Sequence, residues 1–335
     1  MRQRLFTYCL LCICTCLQAQ YNPDILGGNY LYRSLSMPAD YEGEVVCTLI
    51  KKPALPHVKQ AVLYIHGYND YFFQKELGDS IETHGYNFYA LDLRKYGRSL
   101  RSHQDPFYCK NLREYFADID TALQIIHGEG NTEIVLMAHS TGGLIAPLYL
   151  KEYRPPFVSG LILNSPFLDM NMSPWIEKIL IPLLSFVGKF FPALTVQKNS
   201  YHSYAHSLLR DFRGEWSFNT HWKRIHAHPK KAGWIHAIHS GQQKIQKGLQ
   251  LDLPLWVMSS DKSFPESDIW EEEYAYSDIV LDVNDIRRYS SSLGPQATYQ
   301  VIPGGKHDLI LSQPAARAYS YQVIFNWLSI AFQRD

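Results

Sequence analysis

The sequence predicts an α/β fold with a mainly parallel central sheet, flanking helices and an inserted helical cap. Three observations predict it. From Gly43 onward, apolar runs of strand length alternate with longer segments of helical pattern, the rhythm of a sheet crossed by helices. That alternation stops between Ser165 and Asp252, where aromatic, histidine and basic residues take over, and then resumes. The 335 residues with 46% hydrophobic content suffice for one large core, so disorder is not expected.

The first residues read as an export signal. A basic start with Arg2 and Arg4 precedes an apolar run from Leu5 to Leu17 and the small-residue context Leu17-Gln-Ala-Gln20. The run is about 13 residues against the roughly 20 of a spanning helix, so residues 1–20 are assigned as a cleaved signal and the mature chain begins near Tyr21. The expected destination is the periplasm or the medium. Four of the six cysteines, Cys9, Cys12, Cys14 and Cys16, fall in that signal. Cys47 and Cys109 remain; a bridge between them is chemically allowed, with two free thiols the simpler expectation.

Strands are expected at Glu44 to Leu49, Ala61 to Ile65, Phe88 to Leu91, Ile134 to Ala138, Gly160 to Leu163, Leu255 to Ser259 and Thr298 to Ile302, the first on an antiparallel edge. Helices are expected at Lys110 to His127, Gly143 to Tyr153, Val283 to Leu293 and Ala315 to Phe332. Right-handed crossovers then bring the strand C-termini to one edge, where ligands bind in such sheets. The organisation is therefore a first core part (21–164), a helical cap (165–252) and a second core part (253–335). Within the cap, Trp175 to Leu194 is apolar around Pro182, and an amphipathic lid and a plain packing helix both fit it.

Thirty-two basic and thirty-two acidic residues cancel, which leaves no electrostatic footprint for nucleic acid. A small or apolar molecule is the expected partner. Seven cap histidines, His202, His206, His221, His226, His228, His236 and His239, invite a zinc reading, but no third ligand recurs at matching spacing; no metal and no cofactor are expected.

The segment Glu133-Ile-Val-Leu-Met-Ala-His-Ser-Thr-Gly-Gly143 joins a strand to a helix through a turn with Ser140 at its apex, the pattern of a nucleophile elbow. Ala138, Gly142 and Gly143 are small because such a turn is tight and the helix passes close to the strand. Alone, Ser-Thr before a glycine pair would equally be an ordinary helix cap. A second strand, however, ends in His66-Gly67, where a further oxyanion donor is found. The expected donors are the backbone N–H groups of Tyr68 and Thr141, with His66 and His139 structural.

Taken together, His66-Gly67, Asp92-Leu-Arg-Lys-Tyr-Gly-Arg-Ser99, Ala138-His-Ser-Thr-Gly142, Asn164-Ser-Pro-Phe167 and Gly304-Gly-Lys-His-Asp308 resemble the α/β-hydrolase branch that holds monoacylglycerol lipases, lysophospholipases and serine aminopeptidase-like hydrolases. The resemblance covers most of the mature chain. It implies that His307 is the general base for Ser140, and that Asp92 and Arg94 only brace their loop. Asp308, adjacent to the base, is expected to bond local backbone.

Two aspartates compete as the acid. Asp261 lies at the strand end, where the family's acid sits. Asp278 opens a segment resembling the family's passage into the next helix, and its 29 residues to His307 match one helix, one strand and two short loops, roughly 25 to 30 residues. Asp278 is preferred and Asp261 kept as the alternative. The expected function is a secreted serine hydrolase acting on a small-molecule or lipid ester such as a monoacylglycerol or lysophospholipid, with transient contact of the cap with a membrane surface. Peptide or amide hydrolysis, and a non-catalytic binding protein on the same scaffold, are the alternatives.

Overall fold

The computed structural model describes residues 20–197, 201–226 and 228–332. The export segment expected at the N-terminus, and the four cysteines in it, lie outside the described residues except for Gln20. In chain order the elements are β1 (Asn22–Pro23), β2 (Leu31–Asp40), β3 (Gly43–Lys51), β4 (Gln60–Ile65), α1 (Lys75–Thr83), β5 (Asn87–Asp92), α2 (Phe116–Gly128), β6 (Glu133–His139), α3 (Thr141–Tyr153) and β7 (Val158–Asn164). There follow α4 (Ile181–Phe190), β8 (Thr195–Gln197), α5 (Ser203–Leu208), β9 (Lys230–Lys231) and α6 (Ala232–Gln246), then β10 (Leu255–Ser260), α7 (Val283–Ser290), β11 (Ala297–Ile302) and α8 (Pro314–Ala331).

Nine strands form one sheet in the order β1-β2-β3-β5-β4-β6-β7-β10-β11. Every pair from β5 to β11 is parallel, and the pairs among β1, β2, β3 and β5 are antiparallel. The central strands are apolar almost throughout because both faces are covered. Leu63, Leu136 and Leu163 point into the core shared with α2, α3 and α6. Their neighbours Val62, Val135 and Ile162 point into the core shared with α1 and α8, as a two-residue period dictates.

Two differences from the sequence expectation have physical causes. The strand at Glu44 to Leu49 belongs to the antiparallel end of the sheet, as expected, but is not its outermost strand: β2 and β1 lie outside β3. β2 is nearly all half-buried or exposed, with only Leu35 fully covered, so its hydrophobic alternation is faint. Helix α1 also went unforeseen, since only Leu77, Gly78 and Ile81 of its nine residues are buried.

Between β7 and β10 the chain forms a layer over the strand ends. α4 follows a π-helical turn, Ile176–Leu180, and presses on α6: a Cβ on Gly188 would stand 2.5 Å from the Ala232 carbonyl carbon. Its small face is therefore turned inward, while Leu183, Phe186 and Phe190 are exposed. It packs on α6 and turns an apolar face outward.

Cys47 and Cys109 are free, buried thiols, both pushed up by burial. No helix among the described residues is long and apolar enough to cross a membrane.

Candidate active site

The parallel strands deliver five segments to one edge: His66-Gly67-Tyr68 after β4, Ser140 after β6, Asn164 at the end of β7, the loop after β10 and the loop after β11. Ser140 sits at φ 51°, ψ −115°, a region that costs a non-glycine residue about 1 to 3 kcal/mol and persists only when its surroundings enforce it. Here its N–H donates to the Asn164 carbonyl (3.1 Å), and its own carbonyl accepts from Phe167 N–H (3.0 Å). Glycines provide the close approach. A Cβ on Gly142 would lie 2.5 Å from the His66 carbonyl oxygen, and one on Gly67 would lie 2.9 Å from Ser140 Cβ.

Ser140, His307 and Asp278 form one hydrogen-bonded chain: Ser140 Oγ is 2.9 Å from His307 Nε2, and His307 Nδ1 is 2.9 Å from Asp278 Oδ2. A carboxylate oxygen accepts, so Nδ1 carries the proton and Nε2 presents its lone pair to the Ser140 hydroxyl. Asp278 Oδ1 accepts from Val280 and Leu281 N–H, both at 2.8 Å, which leaves Oδ2 for the imidazole. Asp261 stands apart from the chain and accepts from Gly304 N–H at 2.9 Å. Asp278 reaches the end of β10 because the backbone around Ser263 pairs with it: its N–H donates to Lys262, and its carbonyl accepts from Phe264. The excursion between the strand and Asp278 thus closes on itself.

The N–H groups of Tyr68 and Thr141 have no acceptor among the described residues, and the latter opens α3, where the helix dipole favours negative charge. His66 ties the ends of β4 and β5 together: Nε2 accepts from Leu93 N–H (3.0 Å) and Nδ1 bonds the Gly67 carbonyl (2.8 Å). His139 Nδ1 bonds the Asn164 carbonyl (3.0 Å), and burial pushes its imidazole down. Asp92 and Arg94 brace their loop, Asp92 through Phe72 N–H and Arg98, Arg94 through Asp118.

Asp308 departs from the expectation of local backbone bonding. It accepts from Asn164 Nδ2 (2.7 Å) and Gln74 Nε2 (3.2 Å), because it is buried on the side of the loop away from His307, where those long-range amides stand. Asp70, His139 and Asp308 could gather ligand atoms within 4.8 Å of one another. Lys223 already donates to Asp70 at 2.9 Å, and the two amides serve Asp308, so this set is a hydrogen-bonded brace behind His307. Among the described residues the cap histidines do not assemble such a group.

A cavity of about 270 Å³ opens over Ser140 and His307. Phe167, Met170, Trp234, Ile235, Val280 and Leu281 supply apolar wall, and Asn69, Lys223, Arg224, Lys230 and Glu266 supply polar groups. The polar set was not foreseen. Asn69 lies next to the Gly67 turn and could have been suspected, whereas Arg224 and Lys230 carry no linear signal in a basic, histidine-rich stretch.

The family model described as serine aminopeptidase, S33 (Hydrolase_4) matches residues 56–313. A search of curated proteins found no match. Among solved structures, the chain is similar to a soluble variant of monoglyceride lipase from Saccharomyces cerevisiae in complex with a substrate analog, at 17% identity over 90% of this chain and 96% of that one, with a TM-score of 0.64. A highly thermostable carboxyl esterase from Bacillus coagulans in complex with glycerol matches at 14% identity over 90% and 98%, TM-score 0.63. A monoacylglycerol lipase from Paleococcus ferrophilus matches at 15% over 90% and 99%, TM-score 0.58. At these identities the likeness speaks to fold. With three quarters of its length covered by the family model, the chain belongs to the serine aminopeptidase, S33 family of hydrolases, built on the α/β-hydrolase fold.

Proposed function

We propose that the protein is a serine hydrolase that cleaves carboxylic esters, with Ser140 as nucleophile, His307 as general base and Asp278 as the acid that orients it. The observation that carries this reading is the unbroken hydrogen-bonded chain of these three residues at the floor of a mostly apolar cavity. His307 Nε2 takes the Ser140 hydroxyl proton as Oγ attacks the ester carbonyl, and the N–H groups of Tyr68 and Thr141 hold the oxyanion. Collapse breaks the C–O bond, His307 returns the proton to the leaving alkoxide, and water repeats the sequence on the acyl-enzyme.

The apolar wall supports an ester with a hydrocarbon acyl chain, such as a monoacylglycerol or lysophospholipid. The outer face of α4 and the turn before it supports a lipid surface as the place where the enzyme works: Trp175, Ile179, Leu183, Phe186 and Phe190 are all more than half exposed, flanked by Lys178 and Lys189. We also propose that the protein is exported, with an N-terminus near Tyr21 when recovered outside the cytoplasm. N-terminal sequencing of that material tests it, and a retained Met1 would refute it.

Amide hydrolysis with an aminopeptidase's grip on a substrate amine needs an acidic anchor. Glu266 is the one acid among the described cavity-lining residues, against Lys223, Arg224 and Lys230, so the ester reading is preferred. The deciding experiment treats the protein and Ser140→Ala with a fluorophosphonate probe and locates the adduct by peptide mass spectrometry. An Oγ–P bond formed at Ser140 with loss of fluoride, and absent in the variant, is expected. Absence of labelling in folded protein would remove the nucleophile and promote a binding role on a hydrolase scaffold.

A further inference from the structure

Four cations stand on or beside one wall of the cavity: Lys223, Arg224 and Lys230 line it, and Lys231 follows in sequence. Two of them are neutralised. Lys223 donates to Asp70 Oδ1 at 2.9 Å, and Lys231 pairs with Asp105. Among the described residues, Arg224 and Lys230 have no carboxylate in ion-pair contact. Arg224 Nη1 donates to His228 Nδ1 at 3.0 Å. Lys230 Nζ donates to Gln197 Oε1 at 3.3 Å and stands 5.7 Å from the Tyr68 ring centroid and 5.9 Å from that of Trp234. Burial pushes its ammonium down, opposed by Glu266.

An ammonium held in such a place loses hydration that a neutral amide and two rings near the outer limit of useful contact restore only in part. A ligand anion compensates more of that loss, through charge-assisted hydrogen bonds. The site is also held in place. Asn69, two residues beyond Gly67, accepts from Arg224 N–H and donates to the Arg224 carbonyl, both at 2.8 Å. The arginine's backbone is thus clamped to the segment that carries the Tyr68 N–H.

We infer that this wall recognises an anionic group, a carboxylate or a phosphate, carried by the ester in either its acyl or its alcohol part, with Lys230 and Arg224 as the binding residues. The inference rests on the reading of Ser140 as an acyl-transfer nucleophile and narrows its substrate class from esters in general to anionic esters.

Two substrate pairs test it and separate the two sources. Mono-4-nitrophenyl adipate against 4-nitrophenyl hexanoate probes an anionic acyl part, and 1-decanoylglycerol 3-phosphate against 1-decanoylglycerol probes an anionic alcohol part. In at least one pair the wild-type kcat/KM for the anion should exceed that for its neutral partner by about tenfold or more, as one charge-assisted hydrogen bond allows. That ratio should fall toward one in Lys230→Met and survive in Lys230→Arg. Ratios at or below one in both pairs, or ratios unchanged in both Lys230→Met and Arg224→Met, would overturn the inference. If no ester is turned over, the hydrolase reading fails separately, and the anion site is judged by titration calorimetry of octyl phosphate against octanol. Saturable binding of the phosphate that is lost in Lys230→Met supports the site; equal binding of the two ligands, or none, overturns it.

Discussion

At the residue scale, Ser140 owes its position to contacts its side chain does not make, and Asp278 owes its own to main-chain N–H groups that fix its carboxylate. Both backbone polar groups of Ser140 are tied, to Asn164 and Phe167, so the strained turn is enforced from outside the serine. Asp278 has one oxygen on two backbone N–H groups and the other on His307. Asp278→Asn keeps the shape but invites the wrong imidazole tautomer, so kcat on an activated ester should fall by about 10³ to 10⁴ with little change in Tm. Asp261→Asn, whose carboxylate accepts from Gly304 N–H and the Ser260 hydroxyl and not from His307, should stay within about threefold. The reverse order in a side-by-side assay would transfer the acid to Asp261.

Lys306 gives a prediction in pH. Its ammonium is buried, donates to the Ser207 carbonyl at 2.6 Å, and is pushed by that burial down to about 8, against an ordinary value near about 10. The folded protein therefore releases this proton at lower pH than the unfolded chain does. Between about pH 8 and pH 10 the unfolded chain binds more protons, and stability rises with pH across that window. Urea titrations should show this upward contribution in the wild type, at most about 3 kcal/mol, and lose it in Lys306→Met. The same slope in both proteins would show that another group titrates there.

At the element scale, the loop that carries His307 is fastened to β7 by Asn164. Its side-chain oxygen accepts from Leu309 N–H (3.2 Å) and its amide donates to Asp308 (2.7 Å), so both bonds fall on the two residues that directly follow His307. Asn164→Ala leaves a buried carboxylate and a buried N–H short of partners. Stability should drop by about 2 to 3 kcal/mol, and kcat should fall as His307 loses its bearing on Ser140. A variant as stable and as active as wild type would show that Gln74 alone holds the loop. The helices and strands of the core were legible because their patterns are strong: the elbow, the glycine pair and four apolar strands stand out in any window. β2 and α1 were not, since each buries so little that its period is lost in solvent-facing residues.

At the scale of the whole molecule, α4 shows why burial and hydrophobicity must be separated. Its segment reads as apolar in sequence, yet its buried positions are only Ile181, Ser185 and Gly188, and Leu183, Phe186 and Phe190 face out. Phe186 is 63% exposed and Phe191 68%, an apolar patch of the kind that marks an interaction surface. With Lys178 and Lys189 beside it, the patch suits an anionic lipid surface. In vesicle sedimentation, Leu183→Ser/Phe186→Ser should lose most binding to phosphatidylglycerol-containing vesicles and keep kcat on a soluble short-chain ester. Binding unchanged from wild type would send the patch to another partner.

The linear chain by itself determined the α/β class, the parallel heart of the sheet, and the elbow and His-Gly signatures, because each is local and rests on side-chain period or on the small residues a tight turn demands. The family resemblance pointed to His307 from the loop after the last strand. Which aspartate meets His307 was decided only in three dimensions, since it depends on a loop folding back to pair Ser263 with Asp278, and sequence distance is blind to that closure. The partners of Asp308 and the cation wall of the cavity were decided there too. They join residues up to 234 positions apart, and burial, which gives such contacts their energy, exists only once the chain has folded.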